Sequence, residues 1–420
     1  MPHNDAVNAE GGEYRVTDSR GVSIGDNNTI YQHFHSERFA PLAQKLISFS
    51  DLIEERTDGF VGRRFVSDAV DAFLRTQPSG YLVIEGEPGV GKTSLLAHLV
   101  KMRGFPHHFV VATLGVNRAE QFLESVCAQL IVGHAVDGRS WLPPEASRDG
   151  SYLAALLGQI SREREPGSQI VVLVDALDEA VVSVDVRENV LFLPQSLPDG
   201  VFFVVTTRPR DRGDLRLRAD RMEFFTLDAR SSANQADVSR YLEEFAQRPA
   251  MRRRLAELGV VPAHFADSLA EKAEGNFMYL HHVLPAIEEG RLGAGGLGEL
   301  PQGLRAYYDS HWRQMRATDG WLAYRQPVIV HLAAAREPIG VSQLAEWTGL
   351  SAGRVSETLR AWREFVQIEV IEGTSRYRIY HASFQDFLRG KDEAREIDLA
   401  DTHRRIAEHL LGTLFDGGWP

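Results

Sequence analysis

Hydrophobic positions along the chain change their rhythm in three stages. Tyr81 to Ile84 is a short apolar run. A glycine-rich turn follows from Gly86 to Gly91, and then Leu95, Leu96, Leu99 and Val100 recur at helical spacing. Ile170 to Val174 and Val201 to Val205 are unbroken apolar runs, each preceded by turn residues, Pro166-Gly167 and Pro198-Asp199-Gly200. Such runs suit strands covered on both faces of a parallel sheet. Ala119 to Val132 and Tyr152 to Ile160 carry helical periodicity between them. The alternation predicts an α/β fold, a parallel sheet with helices on both faces.

Beyond about Ala229 this strand pattern stops. Val238 to Phe245, Phe265 to Ala273 and Met278 to Glu288 read as helices, and glycines 290, 293, 295, 296 and 298 as a loop. Further on, His331 to Ala335, Val341 to Thr348 and Ala352 to Phe365 are helical. Val366 to Ile371 and Arg376 to Tyr380 are strand-like, joined by Glu372-Gly373-Thr374-Ser375. Helices followed by a β-ribbon make a winged-helix pattern. Ordered patterning begins near Phe60; the acidic, Asn- and Gly-rich residues before about 40 cannot bury a core alone.

Composition narrows the classes. The 420 residues are 43% hydrophobic and 25% charged, ordinary for a globular chain, and the length suits about two to four domains. A net charge of −12 argues against nucleic acid as the main partner, although one basic face remains compatible with it. The one cysteine, Cys127, forbids an internal disulfide and suits a reducing, cytoplasmic setting. No apolar run approaches the roughly 20 residues that span a bilayer, and Met1 to Gly12 is unlike a secretory signal.

The candidate chemistry starts at Gly86-Glu87-Pro88-Gly89-Val90-Gly91-Lys92-Thr93, which has P-loop spacing and runs on into Ser94. Its glycines let backbone N–H groups turn toward a phosphate, and the helix starting near Lys92 adds its positive end. Lys92 reaches the β and γ oxygens of a nucleotide, and Thr93 is a ligand for Mg2+. Asp175 ends a buried strand and supplies the second magnesium partner. Asp178 and Glu179 follow; either orients an attacking water as general base, or both simply cap the next helix. Val201 to Val205 runs into Thr206-Thr207-Arg208-Pro209, which brings Arg208 to the same sheet edge as a reader of the γ-phosphate. The plainer alternative is a surface arginine beside Arg210 and Arg212.

Taken in order, Phe60-Val61-Gly62-Arg63, the P-loop, Asp175-Ala176-Leu177-Asp178-Glu179, Thr206-Thr207-Arg208-Pro209 and Gly275-Asn276-Phe277-Met278-Tyr279-Leu280 resemble a bacterial NACHT-type STAND ATPase. Leu300-Pro301, Gly303-Leu304, Tyr307-Tyr308, His311-Trp312 and Tyr380-His381-Ala382-Ser383-Phe384-Gln385-Asp386-Phe387 extend the resemblance over about residues 57 to 412. It implies a nucleotide-binding domain at 41–228, a helical domain at 229–318, a winged-helix domain at 319–412 and a tail at 413–420. It further implies ATP/ADP and Mg2+ as cofactors, closure around ADP, opening on exchange for ATP, and homo-oligomerisation. Val61, Gly62 and Arg63 would line the adenine side, and His381 would reach the ADP β-phosphate; without the resemblance, His381 reads as a packed ring. Ala176 stands where many related ATPases carry a catalytic glutamate, which implies slow hydrolysis. The segment around Phe277 lacks the proline that some relatives place near the adenine.

Within the flexible segment at 1–40, residues 21–34 alternate Val22 and Ile24, turn at Gly25-Asp26-Asn27-Asn28, and place Ile30, Gln32 and Phe34 on one face. Stacked copies of such an arch form a dry zipper with Asn ladders. The segment resembles RIP homotypic and bacterial amyloid-signalling motifs, with Ser23 where Gln is usual. This implies a separate effector as partner, under an unidentified trigger, in signalling or antiphage defence; a solvated tail is the plainer reading. Two rival functions stand beside the switch. One is a transcription regulator gated by ATP, with Ala352 to Phe365 reading DNA through Arg354, Arg360 and Arg363. The other is an ATPase subunit of a larger machine. Glu357 and Glu364 on that helix weigh against DNA, and Val355, Leu359, Trp362 and Phe365 form a stripe suited to a core. His107-His108 lacks the further ligands a metal site needs.

Overall fold

The structure, a computed structural model, describes residues 40–136, 140–181, 188–209, 217–291, 296–335, 337–371 and 373–416. The arch at 21–34, Arg210 and Arg212, and Gly293 and Gly295 lie outside the described residues. Five strands, β1 (Gly80–Gly86), β2 (His107–Phe109), β3 (Ile170–Asp175), β4 (Val201–Thr207) and β5 (Met222–Leu227), form one sheet in the order β2-β3-β4-β1-β5. Every pairing is parallel.

Alternation along the central strands builds two cores. Tyr81, Val83, Val172, Val174, Phe203 and Val205 pack with helices α5 (Ala119–Gly133) and α6 (Ser151–Glu163). Leu82, Ile84, Val171, Leu173, Phe202 and Val204 pack with α3 (Arg64–Thr76) and α4 (Lys92–Arg103). Both faces of the sheet are therefore covered, as the unbroken apolar runs require. Order begins earlier than the patterning near Phe60 suggests. Helices α1 (Ala40–Ala43) and α2 (Ser50–Thr57) precede it, with Leu42 and Phe49 buried beside them. Strands β2 and β5 were not expected. Both lie at sheet edges, where fewer residues need be apolar, and β2 hides two histidines in three residues.

A third core gathers α7 (Ser232–Ala246), α8 (Pro249–Leu258), α9 (Pro262–Ala273) and α10 (Phe277–Glu288) around Val238, Leu242, Phe265, Leu269, Leu280 and Val283. Prolines open α8 and α9, and the side chains of Ser231 and Asn276 cap α7 and α10. The C-terminal region comprises α11 (Gly303–Arg316), α12 (Gln326–Ala334), β6 (Ile339–Gly340), α13 (Val341–Thr348), α14 (Ala352–Ala361), β7 (Val366–Ile371), β8 (Thr374–Ile379), α15 (Ala382–Glu393) and α16 (Leu399–Asp416). Its antiparallel sheet has the order β6-β8-β7. The fold class is thus the expected one: a parallel α/β sheet, then helices, then a winged helix.

The helix expected to reach Phe365 ends at Ala361. Trp362 and Phe365 leave it to enter an aromatic core. Trp362 is fully buried, with ring centroids 5.1 Å from His311, 5.7 Å from Phe384 and 6.0 Å from Trp312. Among the described residues no helix is long and apolar enough to cross a membrane. Emptying the Trp362 site has a definite expected cost: Trp362→Ala loses about 3–5 kcal/mol, read as a lower urea midpoint for unfolding of the C-terminal region.

Candidate functional site

Parallel pairing aligns the carboxyl ends of β1, β4 and β3: Ile84 lies opposite Thr206, and Val174 opposite Val205. The P-loop leaves β1 and enters α4 through Gly91, whose φ of 97° is open to glycine alone without strain. Gly89, at φ 85°, lies so close to α10 that a Cβ there would meet Asn276 Oδ1 at 2.5 Å. Asn276 also donates from Nδ2 to Pro88 O at 2.9 Å, and Met278 N–H donates to Gly89 O at 3.1 Å. The helical region therefore holds the outside of the phosphate loop. Lys92 Nζ folds over the loop, donating to Glu87 O at 3.1 Å and to Gly86 O. Burial lowers its pKa, opposed by Asp175 and Asp178.

Asp175 is enclosed at the end of β3. It accepts from Thr206 Oγ1 at 2.5 Å and from Thr93, while Ala176 N–H donates to Thr206 Oγ1 at 2.9 Å. Burial pushes the carboxyl up, against those hydrogen bonds and the Lys92 charge. Thr93 and Asp175 thus bring a hydroxyl and a carboxylate together, the kind of oxygen pair magnesium keeps beside phosphate oxygens and water. Among the described residues no group of three or more His, Cys, Asp or Glu is placed to hold a metal unaided. The residues fit a magnesium that arrives with phosphate.

Ala176, at φ 52°, turns the chain so that Leu177–Glu179 fold back as a short turn carrying both candidate bases. Their roles separate. Asp178, with a side chain only 3% exposed, accepts from the Arg208 backbone N–H at 3.2 Å and pairs with its Nε at 2.8 Å. Glu179 is 22% exposed and lies 3.8 Å from Arg208. Desolvation and the neighbouring Asp178 push its carboxyl up to about 7. Arg208 also pairs with Asp386 on α15, a contact across 178 residues of chain.

At the other end of the cavity stand Phe60, Val61, Arg63, Tyr241 and Phe277. Gly62 is set back from the lining. Its φ is 81°, and a Cβ there would sit 2.3 Å from the Asp237 carboxylate. Arg63 N–H donates to that carboxylate at 2.7 Å. The Arg63 guanidinium turns beneath the P-loop, donating to Asn234 Oδ1 at 2.5 Å and to Val90 O, 4.7 Å from the centre of the Phe277 ring. Burial brings its pKa down to about 10, opposed by Asp237. Arg63 thus braces the phosphate loop as well as lining the cavity.

The winged-helix side closes the cavity with Tyr380 and His381. Tyr380 stacks on His281 of α10, centroids 4.8 Å apart, and its hydroxyl accepts from Arg56 at 2.9 Å and donates to Glu55 at 3.2 Å. His381 Nδ1 accepts the Ser383 N–H at 3.1 Å and lies 2.7 Å from Ser383 Oγ. A backbone N–H only donates, so the neutral ring carries its proton on Nε2. The hydrogen bonds continue from Ser383 Oγ to Tyr308 OH at 2.9 Å and from there to His282 Nε2 at 3.4 Å. Burial, with Arg56, His282, Arg208 and Lys92 nearby, holds the His381 pKa well below 6.5. The cavity enclosed by these walls measures about 230 Å3. Thr206, Asp386 and the Tyr308–Ser383 pair were not given roles from sequence. The two motif segments contain Thr206 and Asp386, but their partners are set only by the fold.

Comparison with protein-family models and with curated protein sequences gave no match. Among solved structures, the chain is similar to a STAND (Signal Transduction ATPase with Numerous Domains) protein with a tetratricopeptide repeat sensor from Pyrococcus horikoshii. Identity is 14% and the TM-score 0.41, over 84% of this chain and 45% of that one. The chain thus spans less than half the length of that protein. It is also similar to a chain of Drosophila ORC bound to DNA, at 14% identity and a TM-score of 0.34, over 80% of this chain and 97% of that one. A mutant of Thermotoga maritima RuvB follows at 14% identity and a TM-score of 0.28, covering 79% and 96%.

The enclosed histidines set a pH dependence. His381 is held below its ordinary value, and His108 and His282 fall to about 3. At these histidines the unfolded chain takes up protons near pH 6.5 while the folded chain does not; Glu179, raised to about 7, works in the opposite sense but is one group against three. Stability is therefore intact above about pH 6.5 and declines as the pH falls, which urea midpoints at pH 7.5 and 5.5 will register as a lower value at 5.5.

Proposed function

We propose that this chain is a STAND-type P-loop ATPase, resembling the NACHT group, that works as an ADP/ATP-gated oligomerisation switch. One observation carries the reading: Lys92, Thr93, Asp175, Glu179 and Arg208 from one sheet edge face the same cavity as His381 from the winged helix. The loop from Gly86 to Ser94 would cradle the phosphates with its N–H groups, and Lys92 would leave its carbonyl partners for phosphate oxygens. Magnesium held by Thr93 and Asp175 would offset phosphate charge. His381, protonated on Nε2, would donate to the β-phosphate. A diphosphate would then join the P-loop to the winged helix across the cavity.

Glu179 is the favoured base for hydrolysis. Its carboxyl near 7 is matched to neutral pH, whereas Asp178 is engaged with Arg208. Glu179 would take a proton from the water whose oxygen bonds to the terminal phosphorus. The bond from that phosphorus to the bridging oxygen breaks, and ADP leaves with its electron pair. Ala176, in the place of the usual glutamate, accords with slow turnover. In the opened form the chains would associate and residues 21–34 would meet a separate effector, the trigger being a ligand or protein still to be identified.

The DNA-reading alternative has less support. On α14, Arg354 pairs with Glu357 at 3.1 Å, and next to it Arg363 lies 3.4 Å from Glu289. Both carboxylates lie beside the arginines that would meet a phosphate backbone and would repel it.

Two measurements test the proposal. Calorimetry will find ADP binding to the wild-type chain and none to Lys92→Ala; equal affinity in both refutes the site. In single-turnover assays with ATP and magnesium, the rate will rise with pH through about 7 as Glu179 loses its proton. Glu179→Gln will reduce the rate about 100-fold or more and remove that limb. A larger loss in Asp178→Asn, with the limb retained in Glu179→Gln, assigns the base to Asp178.

A further inference from the structure

Arg208 is the cation on which the two sides of the cavity compete. Nε pairs with Asp178 at 2.8 Å, one terminal nitrogen lies 3.8 Å from Glu179, and the other pairs with Asp386. All three nitrogens of the fork therefore face carboxylates. Asp178 and Glu179 come from the turn after β3 and share a sheet edge with Arg208. Asp386 comes from α15, and its second oxygen accepts from Arg389 at 3.2 Å. It is the one carboxylate of the three that can depart with the winged helix.

This arrangement sorts polyphosphates by length, and the inference rests on the nucleotide reading above. A phosphate at Lys92 meets an ammonium held by neutral carbonyls. One more phosphate, extended along the sheet edge toward Arg208, meets a guanidinium already shared by three carboxylates, and like charges brought together in a desolvated site repel. We infer that Asp386 is a specificity-determining residue. With α15 docked, it makes the cavity accept a nucleoside diphosphate and reject a triphosphate. A terminal phosphate gains Arg208 only by displacing Asp386, so triphosphate binding and docking of α15 oppose each other. The opposition is reciprocal: whatever lifts α15 raises triphosphate affinity by the factor by which triphosphate weakens docking.

Other contacts keep the winged helix in place when this charge is removed. Tyr380 bonds Arg56 at 2.9 Å, and Arg378 Nη1 donates to Thr113 Oγ1 at 2.8 Å. Asp386→Asn therefore deletes the charge, retains an acceptor for Arg208 and leaves the docking surfaces intact.

The test compares ADP with a non-hydrolysable β,γ-imido ATP analogue, both with magnesium, on the full chain by competition calorimetry. The wild type is expected to favour the diphosphate, and Asp386→Asn to shift the ratio of affinities toward the triphosphate by about tenfold. Asp386→Glu is expected to restore the wild-type ratio. Hydrogen exchange over residues 382–393 should rise with the triphosphate analogue and not with ADP. An unchanged ratio in Asp386→Asn, an equal shift for both nucleotides, or equal exchange with both overturns the inference while leaving the nucleotide site standing. A wild-type chain that binds neither nucleotide overturns both readings.

Discussion

The parallel backbone ladder joining β1 to β4 and β4 to β3 is the interaction on which the site depends. It places three strand ends side by side, so that a glycine loop, a threonine hydroxyl and a carboxylate meet without any long side chain reaching for another. The ladder is buried on both faces by alternating residues, and its register cannot slip by one without reversing every side chain. Precision at the phosphate loop is therefore inherited from the two cores beneath it. The helical region adds to it from outside through Asn276 and Met278, and Arg63 from below through Val90.

The far wall of the cavity is built differently. Here Tyr308, Tyr380, His281, His282 and His381 meet through ring contacts and neutral hydrogen bonds. Neutral groups suit an enclosed interface, because ions would carry a desolvation cost there. Charged groups enter at Tyr380, which bonds Arg56 and Glu55, at the Arg291–Glu364 pair, and at Arg208. The interface is consequently held in part by histidine rings that acid would charge.

Legibility followed burial. Strands β1, β3 and β4 were readable because a central parallel strand must be apolar throughout, and the P-loop because its glycines are demanded by backbone shape. Strands β2 and β5 were not, since an edge strand tolerates His107-His108 or Glu223. Lys92, Asp175 and Arg208 were readable as motif positions, yet the partners of Arg208 were not: Asp386 is distant in sequence and meets it only through tertiary packing. The same holds for the hydrogen bonds that continue from Ser383 to Tyr308 and His282, which draw on α10 and α11. Gly62 was expected from the resemblance to line the adenine side, but it is set back from the cavity with the Asp237 carboxylate behind it. The end of the helix before Trp362 escaped a periodicity argument because Trp362 and Phe365 remain apolar after the helix has stopped.

The 178-residue separation of Arg208 and Asp386 along the chain also has a meaning for biosynthesis. At translation speeds of about 5–20 residues per second, roughly 9–36 seconds pass between the two leaving the ribosome's catalytic centre. During that interval the nascent sheet edge carries Arg208 with only its local carboxylates, and a polyphosphate that binds there would do so before the late counter-charge exists. If Asp386 acts as inferred above, the newborn molecule would be loaded under different rules from the finished one.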